Sequence, residues 1–318
     1  MKDSQTIPVF LCSDENYFRH LCVVIDSIVS NTASKIHFIV LTSSKSDAEK
    51  AKVAKVCAGN KLTFVSVGEY DGLFASFPKK HGHISAATCF RYLIPRLDFP
   101  YDKGIYLDCD IVVRGDIREL FDADLGGAHI AGVYDYQKDA YVKGLGVENY
   151  FNAGVLLLDI GKMRAENSSE KLIQMHCELK ERIKYLDQDV LNIAFKSSSA
   201  ILPPKFGAIS PLFRKELPPV LGQTARDMRE AIYNPVIVHF TGPDKPWVIP
   251  RGFTAHPWTP LYFRHLRRTP YAASEAAIMG GFRPAARLWW YFKRHLTFFA
   301  RRHFWKMRLL YLKNRKLY

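Results

Sequence analysis

The chain has no run of about twenty apolar residues, no Cys-x-x-Cys pair, and no acidic residue beyond Arg283. The first absence excludes a membrane-spanning helix. The second argues against a zinc ribbon or a disulfide framework. The six cysteines, Cys12, Cys22, Cys57, Cys89, Cys109 and Cys177, sit mostly inside apolar runs, as reduced thiols of a cytosolic protein do. No Gly-x-Gly-x-x-Gly opens the first predicted helix, and no Gly-x-x-x-x-Gly-Lys-[Ser/Thr] occurs, so the common dinucleotide and P-loop routes are unsupported. The N-terminus lacks signal-peptide character. The Asn167-Ser168-Ser169 glycosylation pattern is therefore read as chance. Internal repeats and low-complexity linkers are also missing.

The third absence explains the charge. The chain carries 45 Lys+Arg against 31 Asp+Glu, a net of +14. Eleven of those basic residues lie between Arg283 and Tyr318, so removing them from the 45 leaves 34 against 31. The basicity belongs to the tail and says little about the body.

What is present alternates between strand and helix patterns. Strands are predicted at Ile7–Cys12, Ile36–Leu41, Leu62–Val67, Ile130–Val133, Gly154–Leu158 and Pro235–Phe240. Helices are predicted at Tyr17–Val29, with Leu21, Val24, Ile25 and Ile28 on one face, and at Ser46–Val56, Ser85–Leu97 and Met163–Ile183. Asp116-x-x-Glu119 has the pattern of a capping box, and Asp187 is placed to cap a helix reaching Phe195. This order predicts an α/β fold with a mostly parallel sheet. Ligands of such sheets bind beyond the strand C-termini. Ser13–Asn16, Asp108–Asp110 and His239–Gly242 all fall at such ends.

One stretch stands out: Ile105-Tyr106-Leu107-Asp108-Cys109-Asp110-Ile111-Val112-Val113. Its flanks read as a buried strand, where unpaired carboxylates are costly. On a strand, Asp108 and Asp110 share a face, which makes half of a divalent-cation site. A turn with two solvated acids is the plain alternative. His239, at a strand end before Thr241-Gly242-Pro243-Asp244-Lys245-Pro246-Trp247, supplies an imidazole. Two carboxylates and one imidazole suit Mn²⁺ better than Mg²⁺. Lys245 is a compact point charge suited to phosphate.

With these segments in view, the chain resembles glycosyltransferase family 8, of the kind that adds galactose or glucose to bacterial lipopolysaccharide cores. The likeness rests on Asp14-Glu15-Asn16-Tyr17, Tyr106-Leu107-Asp108-Cys109-Asp110, Tyr150-Phe151-Asn152-Ala153-Gly154-Val155-Leu156-Leu157, Asp187-Gln188-Asp189-Val190-Leu191-Asn192 and His239 to Trp247. They occur in the family's order from about residue 7 to residue 258. The resemblance implies a single GT-A-like, Rossmann-related nucleotide-binding domain over 1–258, and the charge and spacing beyond it are read as a small basic helical region over 259–318. It implies that Asp108, Asp110 and His239 hold Mn²⁺ against a UDP-sugar, and that Gly242 and Lys245 contact the diphosphate. Asp14 and Asn16 would hold the uridine, and Arg91 would lie near the donor sugar and phosphates. Asn152, Asp187 and Gln188 would contact the donor sugar, with Gln188 and Asp187 as the catalytic pair. Asp135 would face the acceptor. Structural alternatives compete: Asp14 and Asp187 as helix caps, Asn152 as a turn residue, Arg91 on a helix surface. The segment Leu11-Cys12-Ser13 departs from the family in bulk and by one apparent insertion. Cys109 is expected to turn away from the metal.

The family retains anomeric configuration. Gln188 is a poor nucleophile at the matching position, so either Asp187 forms a covalent intermediate or the acceptor attacks on the face the diphosphate leaves. From Arg287 to Arg302, Leu288, Trp289, Phe292, Leu296 and Phe299 share one helical side while Arg287, Lys293, Arg294 and Arg301 lie on another. That is the pattern of a membrane-surface helix. Packing of these aromatics on the body is the alternative. The expected enzyme is therefore an Mn²⁺-dependent, retaining UDP-hexose transferase acting on a lipid-linked oligosaccharide. It is expected to be cytoplasmic and peripheral on the inner membrane face, with no nucleic-acid partner. A non-catalytic sugar-nucleotide or membrane-surface binding protein is the alternative from another class. A metal-dependent phosphoesterase is a third.

Overall fold

The computed structural model describes residues 6–75, 86–243, 245–249, 256–280 and 302–318. Ten strands are described: β1 (Ile7–Cys12), β2 (Ile36–Thr42), β3 (Lys61–Ser66), β4 (Lys103–Leu107), β5 (Ile111–Val113), β6 (Ile130–Tyr134), β7 (Phe151–Asp159), β8 (Ser199–Leu202), β9 (Ala208–Ile209) and β10 (Ile237–His239). Seven of them form one sheet in the order β3-β2-β1-β4-β7-β6-β8. All its pairings are parallel except those of β7, which runs against both β4 and β6. The expected α/β class with a mostly parallel sheet is what the chain adopts.

Every residue of β1 is buried. Ile7, Val9 and Leu11 join one hydrophobic cluster with helix Phe18–Asn31, while Phe10 and Cys12 join another beneath the segment Ala86–Arg96. Covering both faces is why the strand reads as a continuous apolar run, as strands of parallel sheets do. Helix Phe18–Asn31 buries His20, Asp26 and Ser27 as well as its apolar stripe. The Ser46 side chain accepts from the Glu49 amide and caps helix Asp47–Lys55.

The chain passes from β1 to β2 on one side of the sheet, and β4 joins β1 on the other. The C-terminal ends of β1 and β4 therefore flank the point where the strand order reverses, the place where open α/β sheets bind ligands. Antiparallel β7 brings its first residues, not its last, to the same edge.

Several sequence expectations are corrected. Ile105–Val113 is not one strand. It ends as β4 at Leu107 and resumes as β5 in a second sheet of order β5-β10-β9, with Asp108-Cys109-Asp110 in the bend between. The two acids thus converge because the chain changes sheets there, not because a pleat aligns them. Ser85–Leu97 is a run of 3₁₀ turns, Ala86–Arg96, with Pro95 inside it. Met163–Ile183 is two helices, Ile160–Ala165 and Ser168–Leu179, broken where Asn167 takes a left-handed φ of 54°. Asp116 forms no capping box. Its carboxylate accepts from the Arg118 amide at 2.8 Å, ahead of the short helix Arg118–Phe121. The short strands β8 and β9 carry no pattern strong enough to foresee.

The amphipathic helix expected over 287–302 lies almost wholly outside the described residues. Beyond it, helix Arg302–Leu317 packs on the body. Phe304, Met307, Leu310 and Tyr311 are buried, the His303 Nε2 lies 3.1 Å from the Leu212 carbonyl, and Asn314 donates to the Pro257 carbonyl at 2.9 Å. The same helix leaves Trp305, Leu309 and Leu312 exposed on its outer side. Among the described residues, no helix is long and apolar enough to cross a membrane.

Candidate functional site

A cleft of about 600 Å³ opens at the strand-order reversal. The end of β1 brings Cys12, Ser13 and Asp14 to it, the β4–β5 bend brings Asp108, Cys109 and Asp110, and the start of β7 brings Asn152, Ala153 and Gly154. Helix Leu186–Ala194 contributes Asp187 and Gln188, and the segment after β10 contributes Thr241, Gly242, Pro243 and Lys245.

One end of the cleft is built from full charges. Asp108, Asp110 and His239 each offer one ligating atom, all within 4.8 Å of one another. The His239 Nε2 lies 3.0 Å from the Asp110 Oδ1 and 3.8 Å from the Asp108 Oδ2. The Asp110 Oδ1 and His239 Nδ1 are buried without a hydrogen-bond partner among the described residues. Gly154 makes room for this cluster: a Cβ there would stand 2.0 Å from the His239 Cε1 and 2.8 Å from the Asp108 Oδ2. Two carboxylates, one imidazole, an orphaned acceptor and a cradle that admits no side chain fit a divalent transition metal.

The same acids are held by cations. Lys245, itself buried, donates to the Asp110 Oδ2 and to the Phe240 carbonyl. Burial alone would raise the Asp110 carboxyl, but Lys245 and His239 outweigh it and hold the group well below the usual carboxylate range. The Asp108 Oδ1 accepts from the Arg91 Nη2 at 2.7 Å and from the Tyr106 hydroxyl at 2.6 Å, leaving its Oδ2 toward His239. The Arg91 guanidinium lies on the Tyr106 ring at 4.1 Å, and its Nε faces the Asp187 Oδ2 at 3.1 Å. Arg91 is 5% exposed, so the reading that left it on a helix surface is excluded. The segment carrying Lys245 is pinned by Trp247, whose ring stacks on His20 at 3.6 Å, while the His20 Nδ1 meets the Tyr262 hydroxyl at 2.7 Å.

The other end is built from amides. Asp135 accepts from Asn152 at 3.1 Å, Gln188 at 3.0 Å and Gln137 at 3.2 Å. Burial raises its carboxyl, and these hydrogen bonds only partly offset that. With its NH₂ on Asp135, Gln188 turns its Oε1 toward the Ala153 amide at 3.1 Å and Asn152 at 3.2 Å. Asp187 stands between the two ends. Burial raises it, with Arg91 pulling the other way.

The cleft therefore gathers Asp14, Arg91, Asp108, Asp110, Asp135, Asn152, Asp187, Gln188, His239, Gly242 and Lys245. Asn16 does not line it. It is exposed on the 3₁₀ turn Glu15–Tyr17, and its neighbour Tyr17 lines the wall instead. Asp187 does not act as a helix cap, since its carboxylate is spent on Arg91. Cys109 turns its thiol toward the Cys12 carbonyl at 3.4 Å, away from the acids. Sequence reasoning overlooked Gln137, Tyr185, Pro211 and Arg214, which line the outer wall. The Arg214 guanidinium lies 3.7 Å from where a Cβ on Gly242 would stand, and Gly242 has a φ of 77°. Nothing in the local sequence around Arg214 announces this placement, because its short helix, Pro211–Arg214, reaches the cleft only through tertiary packing.

Known proteins similar to this chain fall in one family. The profile of glycosyl transferase family 8 matches residues 8–249, well over half of the chain. The chain is 28% identical over 277 residues to the lipopolysaccharide 1,2-glucosyltransferase of Escherichia coli K12, covering 84% of this chain and 80% of that protein. It is 32% identical over 205 residues to the lipopolysaccharide 1,3-galactosyltransferase of Salmonella typhimurium, covering 58% and 56%. Among solved structures, the galactosyltransferase LgtC in complex with donor and acceptor sugar analogs superposes with a TM-score of 0.74 at 29% identity, covering 83% of this chain and 96% of that one.

Proposed function

The chain belongs to glycosyl transferase family 8, and from that premise we propose that it moves a hexose, galactose or glucose, from a UDP-sugar to a lipopolysaccharide or lipooligosaccharide core with retention of configuration, using Mn²⁺. The observation that carries this reading is the meeting, in one cleft, of a three-ligand cation cluster with an amide-rich wall on Asp135. Asp108, Asp110 and His239 would hold the ion. When bound, it supplies Lewis-acid stabilisation of the departing diphosphate.

The chain's own groups divide the remaining work. Lys245, beside Gly242, places a positive charge where the diphosphate gains negative charge. Asp14 lies at the end of β1, on the uridine side. Arg91 ties Asp108 to Asp187 and so fixes the distance between the metal end and the sugar end. Asn152 and Gln188 line the sugar end, held by Asp135 and by each other, and Asp135 would face the acceptor. The Gln188 carbonyl stabilises positive charge developing at the anomeric carbon. Its amide orientation is set by Asp135. With Asp187 spent on Arg91, same-face attack is favoured over a covalent intermediate.

The exposed Trp305, Leu309 and Leu312, with Lys306, Arg308, Lys313, Arg315 and Lys316 on the same helix, support attachment to an anionic membrane surface. Each basic residue near such a surface adds about 1 kcal/mol. On this reading the enzyme works at the inner face of the cytoplasmic membrane, beside a lipid-linked acceptor. Because Met307 and Leu310 belong to the main core, serine at Trp305, Leu309 and Leu312 tests the attachment better than truncation. Release from anionic vesicles with UDP binding intact is expected, and unchanged vesicle binding refutes the attachment.

The function itself is tested by incubating the protein with UDP-galactose, UDP-glucose and UDP-N-acetylglucosamine, with a lipooligosaccharide acceptor, with and without Mn²⁺. Hexose transfer that requires Mn²⁺ is expected. UDP binding with no transfer or hydrolysis would instead indicate a sugar-nucleotide binding protein. Phosphate release from simple esters without preference for uridine would indicate a phosphoesterase.

A further inference from the structure

Helix Leu186–Ala194 sends consecutive side chains to different places. Asp187 and Gln188 line the cleft, whereas Asp189 does not. Asp189 is 0% exposed. Its Oδ1 accepts the Tyr150 hydroxyl, and its Oδ2 accepts the Tyr141 hydroxyl, the Lys184 amide at 2.7 Å and the Tyr185 amide at 2.8 Å. Four donors converge on one carboxylate, two of them from the backbone just before the helix. Directly after those amides, Leu186, the first residue of the helix, is held at a φ of 43°, a left-handed conformation that a leucine does not adopt without support. The Tyr185 carbonyl then accepts the Gln188 amide at 2.9 Å.

The clamp ties three elements together. Tyr141 lies in helix Asp139–Gly144, and its ring also meets Tyr185, with centroids 5.8 Å apart, and the Lys184 ammonium at 4.6 Å. Tyr150 directly precedes β7, whose second residue is Asn152. Asn192, one turn further along the helix, exchanges hydrogen bonds with the Phe151 backbone, donating to its carbonyl at 2.8 Å and accepting its amide at 2.8 Å. The helix is therefore stitched to the start of β7 at two points, and the strained turn that precedes them carries Tyr185, Asp187 and Gln188 to the cleft.

We propose that Asp189 is a positioning residue for sugar transfer: with the hydroxyls of Tyr141 and Tyr150 it locks the left-handed turn at Leu186, and thereby sets where Gln188 and Asp187 stand relative to the donor sugar. Its carboxylate acts through the turn and not on the substrate. The inference rests on the hexosyl-transfer reading, but the clamp itself can be tested without it.

The test uses Tyr141→Phe, Tyr150→Phe and the double variant, which keep the rings and remove only the hydroxyls, alongside Asp189→Asn. Amide hydrogen exchange of the full-length protein reads the clamp directly. The Lys184 and Tyr185 amides are protected in the wild type, and the double variant exchanges them roughly tenfold faster or more. UDP binding in the presence of Mn²⁺ stays within about twofold, since the uridine and diphosphate groups sit on other elements. The kcat for transfer falls about a hundredfold in the double variant, the cost of a misplacement near 1 Å, with little change in the donor KM. Two outcomes overturn the inference: faster exchange at the two amides with kcat unchanged, which makes the clamp purely structural, or unchanged exchange at both amides. If the wild type transfers no sugar from any donor, the functional reading fails. The exchange data still report whether the clamp exists.

Discussion

The two ends of the cleft solve the burial of polar groups in opposite ways. At the Asp110 end, carboxylates are paired with Lys245, His239 and Arg91, and charge compensation holds Asp110 ionised against burial. At the Asp135 end, the carboxyl has only amide partners, and burial prevails in raising it. Full countercharge makes a place for a leaving group that gains negative charge. Neutral dipoles make a place for a sugar, which is uncharged when it binds and is held by hydrogen bonds.

The largest effect expected from breaking this contrast is at the charged end. Asp110→Asn removes a metal ligand, and transfer should fall on the order of 10³-fold, as for loss of a main electrostatic stabiliser. Manganese dependence of UDP binding, followed by calorimetry, should vanish with it. A variant that still binds UDP only with Mn²⁺ would place the ion elsewhere.

Next comes the amide end. Gln188→Ala should lower kcat by about 10² while leaving UDP affinity within about twofold, because UDP lacks the sugar that Gln188 addresses. An equal loss of UDP affinity would move Gln188 to the wrong side of the comparison.

Lys245→Met sharpens the contrast further. Lys245 competes with any cation for the Asp110 carboxylate, so its removal should tighten Mn²⁺ binding in the absence of nucleotide by about tenfold, while weakening UDP by a similar factor, the scale of one charge-assisted hydrogen bond. Calorimetry with Mn²⁺ alone, then with Mn²⁺ and UDP, reads both signs.

The smallest effect is in acid stability, measured by denaturation in chelator across pH. Asp110 has a depressed folded-state pKa, so its stabilisation is fully present above the ordinary aspartate range near 3.9 and is lost progressively as pH falls from there through the lower folded value. The stability advantage of wild type over Asp110→Asn should therefore shrink in strong acid. Asp135 is raised, so wild type recovers stability as pH falls through that raised value toward about 3.9. Its standing relative to Asp135→Asn should improve over that window. Parallel profiles for the two variants would erase the distinction between the ends.

Much of this was legible because strand ends carry chemistry and buried strands do not. Asp108 and Asp110 stood out against an apolar run, and β1 was read residue for residue. The register of the surprise is equally physical. The break between β4 and β5 is invisible in the sequence because both pieces are apolar and buried, one in each sheet. Asn167 interrupts a helical pattern by its backbone alone. Asn16 and Tyr17 are neighbours in one motif, and only the turn geometry decides which of them lines the wall. Gln137, Tyr185 and Arg214 arrive from segments with no distinctive pattern, so only tertiary packing places them. The tail's charge was evident, but the burial of Phe304, Met307, Leu310 and Tyr311 within it required the partner surface.

The most direct test of the central claim is a calorimetric titration of UDP into the wild-type protein with Mn²⁺ and again with chelator, repeated on His239→Ala. Strong binding by wild type with Mn²⁺, at least roughly tenfold weaker binding in chelator and loss of that difference in His239→Ala are expected. Equal UDP affinity in all four titrations would contradict a cation held by Asp108, Asp110 and His239.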